Sequence, residues 1–163
     1  MDTDLITRPT LLLNSRIARR NLEIMAAKIR RSKVRFRPHF KTHQSRQIGE
    51  WFRAEGVDAI TVSSVEMAEY FADAGWQDIF IAFTANRREL AAINRLAKRV
   101  RLGLLFEEAA TLDYFMQNLD AAVDVWFEAD NGSVRTGIPI QQVDAFVQLA
   151  QHVRPPHVLA GVM

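Results

Sequence analysis

The chain has 163 residues and 48% hydrophobic content, which suffices for one globular domain with a buried core. No apolar run reaches the roughly 20 residues of a membrane-spanning helix, and a formal net charge of +2 is too small to indicate a nucleic-acid partner. Cysteine is absent, which excludes a disulfide framework and a thiolate metal site and favours an intracellular, cytoplasmic protein.

Strand-like apolar segments alternate with amphipathic segments along the chain. The predicted strands are 34–41, 57–62, 78–83, 100–105, 122–129 and 157–163. The predicted helices follow Asn14 and then cover 44–54, 65–74, 86–98, 107–118 and 139–152. Six strands separated by helices of this length predict a parallel sheet of βα units in an α/β fold. The pattern itself does not decide between an open sheet and a closed barrel.

Local signals mark several helix ends. Either Asn14 or Ser15 is a suitable N-cap for the first helix. Ser63 followed by Glu66 gives a capping-box pattern before the helix at 65–74. Pro139 suits the first turn of the helix that runs to about residue 152.

The segment 34–41 combines strand alternation with a cluster of cations. One parity holds only apolar residues and the other only basic ones: Val34, Phe36, Pro38 and Phe40 against Arg35, Arg37, His39 and Lys41. A strand sends these two sets to opposite faces. A soluble edge strand with its basic face in water shows the same alternation, so the pattern alone does not identify a site.

Two features favour a functional reading of this segment. Pro38 cannot donate to a strand ladder and therefore suits a strand end or a bulge. Lys41 lies in sequence among Arg37, His39 and His43, and neighbouring cations favour the neutral amine of a lysine. A neutral lysine is a nucleophile that can form a Schiff base with an aldehyde.

The run from Arg37 to His43 resembles the R-P-H-x-K-T-H signature of the D-threonine aldolase and D-serine dehydratase group. These are pyridoxal-phosphate enzymes with an alanine racemase-like N-terminal domain. The resemblance extends from Pro9 almost to Met163 and implies that Lys41 holds the cofactor as a Schiff base. It also implies a (β/α)8 barrel, which takes about 250 residues. Residues 1–163 would then form an incomplete barrel of about six βα units, without the family's C-terminal β domain, and we expect the natural protein to be longer.

The segment 128–137 resembles the family's E-x-D-x-G-x-x-R-x-G motif. The resemblance implies that Arg135 reaches the phenolic oxygen of the cofactor. Glu128 and Asp130 share a parity, and a buried carboxylate needs a partner, which Arg135, Arg37 or Arg35 could supply. We expect Glu128 to orient Arg135. A polar loop with Arg135 in water is the alternative.

Other side chains near these motifs have open roles. His39 and His43 are candidates for proton transfer or for tuning the cofactor, and a structural role is equally consistent with their positions. The hydroxyls of the turn 61–64 could face the cofactor or cap a helix. The three tryptophans are expected to pack: Trp51, Trp76 and Trp126.

The resemblance implies a lyase that acts on a D-amino acid, by aldol cleavage of a D-3-hydroxy-amino acid or by dehydration of D-serine. An amino-acid racemase on the same barrel and a non-catalytic pyridoxal-phosphate homeostasis protein are the alternatives. Relatives use a divalent metal bound near their C-terminus, and none of its ligands is expected in this chain. They are homodimers that complete the site with the partner's second domain, so the isolated chain is expected to be inactive.

Overall fold

Helices and strands alternate along the chain in the computed structural model, which describes residues 4–163. The helices are α1 (Ser15–Ser32), α2 (Arg46–Ala54), α3 (Val65–Asp73), α4 (Leu90–Ala97), α5 (Ala109–Asn118) and α6 (Val143–Ala150). The strands are β1 (Ile60–Val62), β2 (Asp78–Thr84), β3 (Arg101–Phe106), β4 (Asp124–Phe127), β5 (Ala129–Asp130), β6 (Ile138–Pro139) and β7 (Val158–Val162). Short 3-10 turns cover Phe40–Thr42 and Arg87–Glu89. Among these described helices, none is both long and apolar enough to cross a membrane.

Five strands form one parallel sheet in the order β1-β2-β3-β4-β7, and helices connect the strands. The two-residue strands β5 and β6 pair separately, just beyond the carboxyl end of β4. This arrangement is a partial barrel and confirms the α/β fold with successive βα units.

The predicted strand over 34–41 is wrong as a hydrogen-bonded element. Within residues 4–163, its only bridge joins His39 to Thr61, and the N–H of Thr61 donates to the carbonyl of Pro38 at 2.9 Å. Because Pro38 has no N–H of its own, it cannot extend the ladder. The chain then turns into the 3-10 helix that begins at Phe40.

The predicted separation of faces in this segment holds only in part. The ring of Phe40 is fully buried in the apolar core, whereas Val34 of the same parity is 56% exposed. The guanidinium groups of Arg35 and Arg37 reach the carboxylate of Asp78 at the start of β2. Alternation therefore separated Phe40 from Arg35 and Arg37 although the strand ladder is absent.

Of three predicted helix ends, the structure agrees with one and differs from two. Asn14 is the N-cap of α1, which settles the choice between the two candidate residues. The hydroxyl of Ser64, rather than that of Ser63, caps α3. Pro139 is not in the first turn of a helix, because it belongs to β6 and α6 begins only at Val143.

The inner face of the sheet is packed by aromatic side chains. The rings of Phe80 and Trp126 lie 5.0 Å apart; Gly103 faces both rings and Gly161 faces Trp126 without a side chain. Trp76 is buried between helices and sheet. Trp76 and Trp126 therefore have the packing role that was expected of them.

Ion pairs occupy the amino ends of the strands. Asp78 is the first residue of β2 and pairs with Arg35 at 2.8 Å, Arg37 at 2.7 Å and Arg101 at 3.8 Å. Arg101 also pairs with Asp124, the first residue of β4, at 2.7 Å. The cations that begin the 34–41 segment are thus neutralised at the end of the sheet opposite to Lys41.

Candidate functional site

A cavity of about 460 Å³ lies at the carboxyl ends of the strands. Its lining joins the 3-10 turn after His39 with the ends of β1, β2 and β4 and with the loop between β5 and β6. The lining residues are His39, Lys41, Ser63, Ala82, Phe83, Thr84, Glu128, Arg135, Thr136 and Met163. Barrel enzymes place their active sites at this edge of the sheet.

Lys41 is held by the short 3-10 turn rather than by a strand. Nδ1 of His39 accepts a hydrogen bond from the backbone N–H of Lys41 at 3.3 Å and so caps the turn. The side chain of Lys41 lines the cavity, and no residue among 4–163 gives its amine a hydrogen bond or an ion pair. The amine is therefore available to a ligand.

His39 remains neutral beside this amine. Burial lowers the pKa of His39, the charge of Lys41 lowers it further, and a hydrogen bond to the backbone of Thr61 acts in the opposite direction. A neutral imidazole with Nδ1 as acceptor can carry a proton only on Nε2. His39 thus lines the cavity without adding a third positive charge.

The structure does not bring His43 or Arg37 into the cavity. The ring of His43 stacks on Phe52 at 5.4 Å and meets the edge of Phe40 at 4.5 Å, and burial lowers the pKa of His43. Arg37 lies at the amino ends of the strands with Asp78. Their expected supporting role at the cofactor is corrected to a packing role for His43 and an ion-pair role for Arg37.

Glu128 lines the cavity but does not pair with Arg135. Its Oε1 accepts a hydrogen bond from Oγ1 of Thr136 at 2.8 Å, and its Oε2 lies 3.4 Å from Oγ1 of Thr84. The ion pairs within residues 4–163 include none between Glu128 and any arginine. Direct orientation of Arg135 by Glu128 is therefore corrected: the carboxylate holds the residue next to Arg135.

The loop that carries Arg135 is shaped by Asp130. The carboxylate of Asp130 accepts hydrogen bonds from the N–H groups of Gly132 and Val134 and from the hydroxyl of Ser133, at 3.0–3.1 Å. The N–H groups of Val134 and Gly132 hold the pKa of Asp130 below its usual range. Asp130 thus serves its own loop rather than the cavity.

Val134 and Gly137, which lie on either side of Arg135, have positive φ angles, as does Gly132 earlier in the loop. Val134 has a φ of +52°, which is uncommon for a β-branched residue. Gly137 has a φ of +101°, and a Cβ there would lie 3.0 Å from backbone atoms of Asp130 and Glu128. Strain of this kind often occurs at ligand-binding sites, where the surrounding contacts maintain it.

Arg135 lies between these two residues and lines the cavity together with Lys41. Its side chain is exposed, and it makes no ion pair or hydrogen bond with any residue that the structure describes. The cavity therefore contains two cationic side chains, from Lys41 and Arg135, that have no protein anion paired to them.

Glu107 was missed by the sequence analysis, which placed it at the start of a helix. It follows β3 directly, and its Oε2 accepts a hydrogen bond from the N–H of Gly137 at 2.6 Å. Its Oε1 lies 3.5 Å from Oγ1 of Thr84. A carboxylate directly after a buried parallel strand was the available signal, because such positions lie at the carboxyl edge of the sheet.

Comparison with known sequences identifies relatives of this chain. Residues 14–163 match the alanine racemase, N-terminal domain, family. A D-threo-3-hydroxyaspartate dehydratase from Delftia sp. (strain HT23) is 31% identical over 134 residues, which are 80% of this chain and 35% of that protein. A D-threonine aldolase from Arthrobacter sp. is 32% identical over 154 residues, which are 91% and 40%. The chain thus spans well under half the length of these relatives.

Solved structures agree with the sequence matches. The crystal structure of D-threonine aldolase from Filomicrobium marinum has a TM-score of 0.88 and 29% identity, over 98% of this chain and 44% of that one. The alanine racemase of Clostridium difficile 630 has a TM-score of 0.70 at 15% identity, which shows a shared fold. The resemblance inferred from the two sequence motifs is confirmed, and this chain belongs to the alanine racemase N-terminal domain family.

Proposed function

We propose that this chain is the cofactor-binding part of a pyridoxal-phosphate-dependent lyase that acts on D-amino acids. The observation that carries the proposal is the shared cavity of Lys41 and Arg135, two cations without protein partners among the residues described. The similarity to an aldolase and a dehydratase, both lyases by name, supports the reaction class.

The cavity fits the chemistry of pyridoxal phosphate. Its volume of about 460 Å³ is within the range of small-molecule pockets. The amine of Lys41 suits an aldehyde, and the guanidinium of Arg135 suits a phenolate oxygen. When bound, pyridoxal phosphate supplies an electron sink that weakens a bond at the α- or β-carbon of an amino acid.

The side chains of this cavity would have separate tasks. Lys41 would bind the cofactor's aldehyde covalently through Nζ and move protons at that atom. Arg135 would place its positive charge at the phenolic oxygen. His39 would hold the backbone of Lys41, and its low pKa would limit repulsion of the two cations.

The names of the relatives suggest two reactions. Aldol cleavage of D-threonine and dehydration of a D-3-hydroxy-amino acid differ only in the bond that breaks. One solved structure is a dehydratase mutant in the metal-free form, which supports a divalent metal in the whole enzyme. A homodimer with a D-amino acid as small-molecule substrate remains part of this proposal, and racemisation on the same barrel is the alternative outcome of the assays.

Covalent labelling tests the cofactor assignment. Pyridoxal phosphate is added to the purified chain, the mixture is reduced with borohydride, and the modified peptide is mapped. We expect label on Lys41 that is lost in Lys41→Ala and kept in Lys98→Ala, because Lys98 is tied to Asp120 on the surface at 2.7 Å. Equal labelling of Lys28, Lys33 and Lys98 would overturn the assignment.

Activity is tested separately, in the natural protein that contains this chain. The substrates are D-threonine, D-serine and D-threo-3-hydroxyaspartate, and chiral chromatography detects racemisation in the same samples. Cleavage or elimination that Lys41→Ala abolishes supports a lyase. Interconversion of enantiomers without cleavage would replace the lyase proposal with the racemase alternative.

A further inference from the structure

Glu107 contacts the loop of Arg135 from the neighbouring strand. Its Oε2 accepts the N–H of Gly137 at 2.6 Å, two residues beyond Arg135. A Cβ at Gly137 would lie 3.0 Å from backbone atoms of Asp130 and Glu128, so the backbone of Gly137 also packs closely against residues 128–130.

Two carboxylates accept hydrogen bonds from neighbouring residues of this loop, Thr136 and Gly137. Glu128 accepts the hydroxyl of Thr136 at 2.8 Å, and Glu107 accepts the adjacent backbone N–H. The hydroxyl of Thr84 lies 3.5 Å from Oε1 of Glu107 and 3.4 Å from Oε2 of Glu128, and it can donate its one proton to either carboxylate. The ends of β2, β3 and β4 thus converge on residues 136–137.

These hydrogen bonds to residues 136–137 fix the backbone position of Arg135. Asp130 shapes the first half of the loop through Gly132, Ser133 and Val134. The second half is tied to the sheet edge by β5–β6 pairing and by Glu107. Arg135 has no side-chain partner among residues 4–163, so its position depends on these backbone anchors.

We infer that Glu107 is a positioning residue for Arg135: it holds the loop so that the guanidinium faces the cofactor cavity. The inference rests on the proposed function for its cofactor readout, and its loop readout is independent of that function. Glu107 acts as a hydrogen-bond acceptor, since the Gly137 N–H needs an oxygen rather than a full negative charge.

The loop is tested first, without cofactor. In Glu107→Ala, we expect the amide of Gly137 to exchange with solvent at least tenfold faster and the backbone order parameter of Arg135 to fall. Glu107→Gln keeps an acceptor oxygen and should behave like the original chain. Glu108→Ala removes the adjacent carboxylate, which bonds Thr111 instead, and is the matched control. An unchanged order parameter of Arg135 in Glu107→Ala would overturn the inference, whether or not Lys41 binds cofactor.

A double-mutant cycle then tests the route of the effect. Glu107→Ala should weaken pyridoxal-phosphate binding about tenfold and shift its absorption maximum in the direction that Arg135→Ala does. In the Arg135→Ala background the same change should matter less than about twofold, because coupled residues are not additive. A full tenfold loss in that background would show that Glu107 does not act through Arg135. Absence of Lys41 labelling in the original chain would refute the proposed function but leave the loop test decisive.

Discussion

Asp78 should be one of the most sensitive positions for stability in this chain. Its carboxylate is 11% exposed and pairs with Arg35, Arg37 and Arg101 at the amino ends of the strands. Arg37 is 19% exposed, whereas Arg35 and Arg101 are 45% and 60% exposed. Asp78→Ala would therefore leave Arg37 largely buried and without its anion.

The expected loss follows from these exposures. Removal of one partner from a buried ion pair destabilises a protein by about 3–5 kcal/mol, because the remaining charge stays desolvated. Arg35 and Arg101 are more exposed and keep Asp58 and Asp124 as partners at 3.1 and 2.7 Å, so they add little to this loss. Asp78→Asn keeps the shape and one acceptor, so its loss should be smaller than that of Asp78→Ala.

Urea denaturation followed by circular dichroism measures this loss. With a slope of about 2 kcal/mol/M, Asp78→Ala should lower the midpoint by about 1.5–2.5 M. Asp120→Ala is the matched control, since its pair with Lys98 has the same 2.7 Å separation but both side chains are more than half exposed. That control should lose less than about 1 kcal/mol. Equal midpoints for the two variants would refute the argument from burial.

Two further substitutions test the inner packing and the titration of His43. Gly103→Ala would place a Cβ 2.9 Å from Phe80 and 3.2 Å from Trp126. The free energy of unfolding, measured in urea, should therefore fall by about 1–3 kcal/mol. An unchanged free energy of unfolding would contradict this packing. Burial lowers the pKa of His43, so below the ordinary pKa of about 6.5 the unfolded chain binds more protons than the folded one, and stability falls as pH drops through this window. His43→Phe removes that titration, so thermal melts between about pH 7 and pH 5 should show a smaller loss than in the original chain, and an equal loss would exclude His43 as its source.

The alternation of apolar and basic residues predicted the direction of side chains better than it predicted backbone hydrogen bonds. In the 34–41 segment, Phe40 is buried and Arg37 reaches the opposite side, as a period of two requires. Strand pairing ends at Pro38, because its carbonyl accepts a hydrogen bond from Thr61 but it has no N–H to donate. Side-chain periodicity depends on burial, whereas pairing depends on each backbone group. A pattern can therefore be right about the first and wrong about the second.

The site was predictable only where one motif contains its residues. Lys41 and Arg135 each belong to a recognisable segment, and both line the cavity. The contacts of Thr84, Glu107 and Glu128 depend on the register of three strands, which spacing along the chain does not encode. Glu107 was assigned to the start of the predicted helix at 107–118. The structure places it before α5, at the edge of the sheet.

Cationic side chains are paired with carboxylates at the amino ends of the strands, whereas those at the carboxyl ends have no such partner. This difference is the strongest argument for the site. At the amino ends, Arg37 and its neighbours are neutralised by Asp78 at 2.7–2.8 Å. At the carboxyl ends, the nearby carboxylates bind hydroxyl and backbone groups, and Lys41 and Arg135 have no anion among the described residues. Glu128 lines the same cavity as both cations, yet its hydrogen bonds go to Thr136 and Thr84. The proposed function accounts for this arrangement, because an anionic ligand in the cavity would supply the partner that Lys41 and Arg135 lack among the described residues.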